Sequence, residues 1–180
     1  MIKATTSQVM ILLAVMSAQV IAGDWTAPVE IVHDEERCVS YRARLQGELL
    51  LVEATHHGPW YTYAMDNKKR AEEKLAGKQS LGIDMPTEIK LSDGLDVAGS
   101  WLQTPPQDYS KPDLQWFTWV FKEQALFAAK VRKSGAGPAR IAIGGQVCNG
   151  STCKKVDVAL LVPLADGGSV VDLKGLVPVR

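Results

Sequence analysis
The chain is poor in the residues that announce most kinds of active site. It has three histidines and three cysteines in 180 residues. Two of the histidines, His56 and His57, are adjacent, and neighbours on a strand point to opposite faces, so they make poor co-ligands. His33 alone does not complete a metal set, and no metal is expected. No Gly-x-Ser-x-Gly or comparable nucleophile frame occurs, which leaves a hydrolase without support. No glycine-rich loop opens a helix, since Gly135-Ala136-Gly137-Pro138 runs into a strand pattern; a phosphate cradle is missing and no cofactor is expected. Neither sign of charge is in excess, with 20 Lys and Arg against 20 Asp and Glu, which argues against nucleic acid or an acidic membrane as partner. After the first 22 residues no apolar run is long enough to cross a bilayer.

Those first residues read as a secretory signal peptide. Lys3 precedes an apolar run over 9–22 that ends in Val20-Ile21-Ala22, with small or aliphatic residues where a signal peptidase reads. The alternative is an uncleaved anchor at the same place. With no cysteine at the cleavage point, a lipid anchor has no attachment site. The expectation is therefore a signal peptide over 1–22 and a single domain over 23–180, periplasmic or secreted, with no stable membrane insertion once the signal is removed. In an oxidising compartment cysteines are normally paired or deliberately reactive, and three of them leave one over.

Along the mature chain, short alternating segments separated by turn formers predict a series of short strands. They fall near 29–33, 38–45, 48–55, 60–63, 86–92, 95–101, 114–121 and 125–131, followed by a hairpin within 138–164 and a last strand at 169–173 after the turn Asp166-Gly167-Gly168. The loop 104–112 holds three prolines, which exclude a central strand. Residues 66–76 change character: strong helix formers, few apolar residues and Gly77 as a stop predict one solvated helix or charged loop. The pattern is that of an all-β, immunoglobulin-like antiparallel sandwich with one short inserted helix or charged loop. A true antibody-type domain would place a Tyr two residues before its second cysteine, and here Gln146 stands there.

The hairpin is the most informative stretch. Asn149-Gly150-Ser151-Thr152 joins two strands with a cysteine at each end of the loop. If Cys148 faces Cys153, Ile143 faces Val158 and Ile141 faces Leu160, so one apolar face agrees across both strands and fixes the register. Both cysteines then fall on the small or polar face, near the surface. Direct cross-strand neighbours lie about 4.5 to 5.5 Å apart at Cα, within the range a disulfide bridges. So small a ring restricts the unfolded chain little, worth about 2 kcal/mol against about 4.7 for a 100-residue loop. Two readings stay open: a structural staple, or an exposed pair suited to exchange, with Lys154 and Lys155 beside it as cations that favour thiolate. Cys38 is expected to pack as a small apolar residue or to remain a free thiol.

The series Gly58-Pro59-Trp60-Tyr61-Thr62-Tyr63, Pro86-Thr87-Glu88-Ile89, Gly94-Leu95 with Trp101 and Pro105-Pro106, and Gln146-Val147-Cys148-x4-Cys153 resembles the N-terminal domain of the disulfide reductase DsbD. The resemblance covers roughly residues 45–163. It implies an immunoglobulin-like periplasmic domain whose cysteine pair, Cys148 and Cys153, takes electrons from a membrane-embedded donor and passes them to exported thioredoxin-like proteins. The later cysteine is the implied attacker of a partner disulfide. It also implies that Tyr61 and Tyr63 line the site and that the stretch 103–110, with Tyr109 its only aromatic, shields it; Lys154 joins them as a partner-facing residue. The sequence departs from that family in Asn149 and Gly150 between the cysteines, in Lys154 and Lys155 after the second, and in the insertion 66–83. No membrane domain or C-x-x-C module is seen to follow, so a donor is expected in trans. The competing expectation is a non-catalytic protein- or ligand-binding sandwich whose short disulfide only pins a hairpin.

Overall fold
A computed structural model describes residues 25–78, 85–164 and 172–180. The strands are β1 (Val29–His33), β2 (Glu36–Gln46), β3 (Leu49–His56), β4 (Tyr61–Tyr63), β5 (Glu88–Ser92), β6 (Leu95–Val97), β7 (Leu102–Gln103), β8 (Gln107–Asp108), β9 (Trp119–Phe121), β10 (Gln124–Lys133), β11 (Ala139–Cys148), β12 (Cys153–Val162) and β13 (Val177–Pro178). One α-helix, α1 (Asn67–Leu75), follows β4. One sheet runs β1-β2-β3-β10-β7-β13 with β6 also on β10; the other runs β12-β11-β4-β9-β8 with β5 also on β11. The fold is thus an all-β, immunoglobulin-like sandwich of antiparallel sheets.

Its core forms where the alternating apolar faces of both sheets meet, as the strand period of two requires. Val39, Tyr41, Ala43, Leu45, Leu50, Val52 and Ala54 come from β2 and β3, and Ile141, Ile143, Val147, Val156, Val158, Leu160 and Val162 from β11 and β12. Phe121 of β9 and Phe127 of β10 close the layer edge to face, with ring centroids 5.3 Å apart. The run Leu50-Leu51-Val52 is buried on both sides because β3 lies between β2 and β10.

Several elements differ from expectation. The strand expected over 114–121 survives only as Trp119–Phe121. Pro112 starts a short 3-10 turn through Leu114, Gln115 adopts a left-handed conformation, and Thr118 N–H is taken by Ser110 Oγ (3.0 Å), so the segment folds on itself before pairing. The strand expected over 95–101 ends at Val97. Within the proline loop, Gln107–Asp108 forms an edge strand beside β9, the one sheet position open to a proline-flanked segment. The expected turn at 166–168 and residues 169–171 of the expected last strand lie outside the described residues, as does the signal peptide. The tail that follows is not loose: Val177–Pro178 pairs with β7 and Arg180 N–H donates to Asp66 Oδ2 (3.2 Å).

The charged segment is a helix, exposed along Lys68, Lys69, Glu72, Glu73 and Lys74 but anchored from beneath. Asp66, just before it, accepts from Arg70 Nε and Gln103 Nε2, both at 2.8 Å, and Asn67 Oδ1 accepts from Trp119 N–H at 2.7 Å. Desolvation pushes the Asp66 carboxyl up, but these donors outweigh it and hold its pKa below the ordinary carboxylate value. The helix ends where Ala76, in a left-handed conformation, returns its N–H to Glu72 O (3.2 Å).

Candidate functional site
The site is built at the turn end of the β11–β12 hairpin. Ten antiparallel pairs run from Ala139↔Val162 to Cys148↔Cys153, including Ile141↔Leu160 and Ile143↔Val158, the register expected from the apolar face. The loop is held by one side chain: Asn149 Oδ1 accepts from Ser151 N–H (3.1 Å), Thr152 N–H (3.0 Å) and Ser151 Oγ (2.9 Å), while Gly150 supplies a φ of +95°. Cys148 and Cys153 are joined by a disulfide, with Cα atoms 4.1 Å apart.

The two sulfurs have unlike surroundings. Cys153 is exposed, as expected, but Cys148 is only 1% exposed, contrary to the expectation of two surface cysteines. The cause is neighbouring strands. β12 is the sheet edge, so Cys153 has a strand on one side only. β11 is flanked on its other side by β4, which sets Tyr61 directly opposite Cys148. Tyr61, Tyr63, Val120 and Cys148 form a small apolar cluster of their own on the outer face of this sheet. Tyr63 O–H donates to Cys148 Sγ at 3.3 Å. A ring contact of 5.8 Å joins Tyr63 to Tyr61, and one of 5.4 Å joins Tyr61 to Tyr109, whose side is 40% exposed. The three tyrosines singled out in the sequence are therefore gathered in one row beside the buried sulfur.

Lys154 takes a different position. Adjacent to Cys153 in a strand, it falls on the opposite face, and its charge bears on Cys38 at the core side. Lys155 shares the face of Cys153 but pairs with Asp157 at 2.8 Å. Cys38 is fully buried and free. It is the extra residue where the β1–β2 register slips between Ile31 and Val32, so it turns inward alongside Val39. Burial pushes its thiol pKa up, against smaller lowering influences that include Lys154, and so disfavours the thiolate that exchange requires. His56 is a core residue: Nε2 lies 2.8 Å from Thr62 Oγ1, and burial lowers its pKa to about 4.

Two members of the site were not read from the sequence. Val120 packs in the tyrosine cluster, and Lys122 Nζ lies 4.2 Å from the centroid of Tyr109 and 6.0 Å from that of Tyr61. The available signal was the alternation of Val120 and Lys122 across one face of the segment 119–121 and its turn, which could be placed only with the strand partners known.

No protein-family model and no curated protein matches the chain. Among solved structures it is similar to the N-terminal periplasmic domain of ScsB from Proteus mirabilis, at 15% identity and a TM-score of 0.54. That match covers 79% of this chain but spans only about half, 52%, of the ScsB chain. The N-terminal domain of Neisseria meningitidis DsbD in its reduced form also matches, at 12% identity and a TM-score of 0.48, over 78% of this chain and 89% of that one. No helix among the described residues is long and apolar enough to cross a membrane. The β-sandwich expected from the DsbD resemblance is present, and in fold the chain is similar to the N-terminal periplasmic domain of ScsB.

Proposed function
We propose that the chain is an exported thiol–disulfide exchange module, with residues 1–22 as its signal peptide, residues 23–180 as one domain, and Cys153 as the sulfur that meets the partner. The observation that carries this reading is the unequal burial of a bonded pair, one sulfur exposed at a sheet edge and the other covered and hydrogen-bonded. In the reduced state the Cys153 thiolate attacks one sulfur of a partner disulfide, and the partner's other sulfur leaves as thiolate. Cys148 then attacks Cys153 Sγ, restoring the Cys148–Cys153 bond and releasing the partner with two thiols. The pair loses two electrons and the partner gains them. Reloading runs the other way: a donor thiolate attacks Cys153 Sγ, the electron pair passes to Cys148 Sγ, and a second donor thiol resolves the mixed disulfide.

Tyr63 assists at the buried sulfur. Its hydroxyl already points at Cys148 Sγ, so it stabilises negative charge there when the bond breaks and makes Cys148 the better leaving group. The partners fitting this chemistry are exported thioredoxin-like proteins, with a membrane electron donor acting in trans.

A staple accounts less well for the same geometry. The hairpin is already fixed by ten paired positions and by the Asn149 bonds, so a disulfide across a short loop adds little to its stability. The test is covalent trapping in the native compartment. Cys148→Ser, which keeps Cys153, is expected to accumulate mixed disulfides with exported proteins, and Cys153→Ser is not. Capture by neither variant, or by Cys153→Ser alone, contradicts the assignment.

A further inference from the structure
The outer face of the β11–β12 ribbon has a gap in it beside the disulfide. On β12 the outward row runs Cys153, Lys155, Asp157, and on β11 it runs Cys148, Gln146, Gly144, each opposite its counterpart. Gly144 brings no side chain to that row, and a Cβ built there would meet nothing within 4 Å. Gly145 is the opposite case. Its φ is +136° and a Cβ would come within 2.8 Å of Pro86 O, so glycine alone lets the segment 85–87 lie directly on the strand. That segment is fixed: Thr87 gives both its N–H (3.2 Å) and its hydroxyl (2.7 Å) to Tyr63 O, and Met85 N–H donates to Gln146 Oε1 (3.3 Å). The result is a groove of about 330 Å³ over the two glycines, with Met85, Pro86 and Glu88 along one side and Lys155 and Asp157 along the other.

The groove lies two to four residues along the ribbon from Cys153, about 7 to 14 Å at the rise of a strand. A protein whose own cysteine joins Cys153, and whose chain runs along the ribbon, brings its next few residues over this groove. The charges on the rim are already engaged, with Lys155 on Asp157 at 2.8 Å and Lys90 on Glu88 at 3.0 Å. A charged occupant thus finds its counter-ions taken, whereas Met85, 45% exposed, offers an adaptable apolar side chain. We infer, resting on the exchange reading above, that the groove seats an extended, uncharged segment of the partner protein next to its reactive cysteine, and that the missing side chain at Gly144 decides which partners reach Cys153. Gly144 takes no part in the electron transfer; it selects the protein that takes part.

The test compares two rates at which the disulfide of the full chain is reduced, one by reduced thioredoxin and one by dithiothreitol, a small dithiol with no polypeptide to place in the groove. In both, a thiolate attacks Cys153 Sγ and the electron pair passes to Cys148 Sγ, which is then protonated. The reductant's second thiol then displaces Cys153 from the mixed disulfide and leaves the reductant oxidised. Gly144→Ile fills open space with a residue suited to a strand, and should lower the ratio of the thioredoxin rate to the dithiothreitol rate about tenfold, the cost of one overfilled contact. Gly144→Ala and Met85→Ala should each lower it about two- to fourfold. Equal thermal midpoints show that the folded state is intact, and where Gly144→Ile fails to fold the two alanine variants decide. A ratio equal to the parent's in Gly144→Ile, or in both alanine variants, overturns the groove and leaves exchange through Cys153 in place. A parent disulfide reduced by dithiothreitol but left intact by thioredoxin overturns the exchange reading and the groove together. Equal ratios, with loss in Gly144→Ile of a dimer that the parent forms in solution, assign the groove to a second copy of the chain and overturn the partner segment.

Discussion

The β11–β12 ribbon has two faces with different work. Inward, Ile141, Ile143 and Val147 meet Val156, Val158, Leu160 and Val162, all buried in the sandwich core. Outward, Gly144 and Gln146 are half-buried, Lys155 and Asp157 are exposed and paired with each other, and the row ends in Cys148 and Cys153. Because successive side chains alternate, one ribbon carries core residues and the disulfide on opposite faces without either intruding on the other. The lesson is separability: the inner face carries the core and the outer face carries the disulfide, to which the proposed function assigns the exchange, and substitutions should sort accordingly.

The largest effect expected on stability comes from the inner face. Ile143→Ala removes a fully buried side chain and should cost about 2 to 5 kcal/mol in denaturant unfolding, while the dithiol reduction rate of the folded protein stays within about twofold. A large change in that rate would show that the faces are coupled.

Next comes a pH effect beneath the tyrosines. His56 contacts Thr62, whose neighbours Tyr61 and Tyr63 cover Cys148. Its pKa in the fold is about 4, below the ordinary 6.5, because burial disfavours the imidazolium. The unfolded chain therefore binds the proton first, so the stability is fully present above pH 6.5 and is lost as pH falls toward 4. The loss amounts to about 3 kcal/mol at most. Denaturant midpoints at the two ends of that window should differ in the parent and differ less in His56→Asn.

Removing the outer-face bond is expected to matter less. Replacing both Cys148 and Cys153 with Ala should cost about 2 kcal/mol of unfolding free energy, the contribution of so short a ring. A cost of twice that or more would return the pair to the role of staple. Smallest is Tyr63→Phe, which removes the donor to Cys148 Sγ and should slow dithiol reduction about fivefold, the equivalent of about 1 kcal/mol, with little change in the unfolding midpoint.

Much of this comparison was legible in the sequence, for a local reason. The pairing of Ile143 with Val158 and of Cys148 with Cys153 follows from a two-residue period and a turn between adjacent segments, and both are visible within about 25 residues of chain. The β-sandwich followed from the same period repeated. What could not be read was set by pairings distant in sequence. Cys148 is buried because Tyr61 is its strand partner, and nothing within the hairpin announces that. Lys122 belongs to the site only because β9 lies beside β4. The charged segment read as simply solvated, since the anchoring of Asp66 by Gln103 and the Arg180 backbone joins residues far apart in the chain. The strand expected over 114–121 failed for another reason. Its Trp, Phe and Val content suits a strand, but Pro112 and the Ser110–Thr118 bonds claim the backbone first.

The central claim is that the Cys148–Cys153 bond is made to be exchanged. It is tested most directly by equilibrating the protein with a thioredoxin-like protein and quantifying free thiols to obtain the reduction potential. A potential above about −300 mV, within reach of such a partner, is the expected result, and a potential below that value, with the disulfide left intact by a reduced partner, would overturn the exchange role.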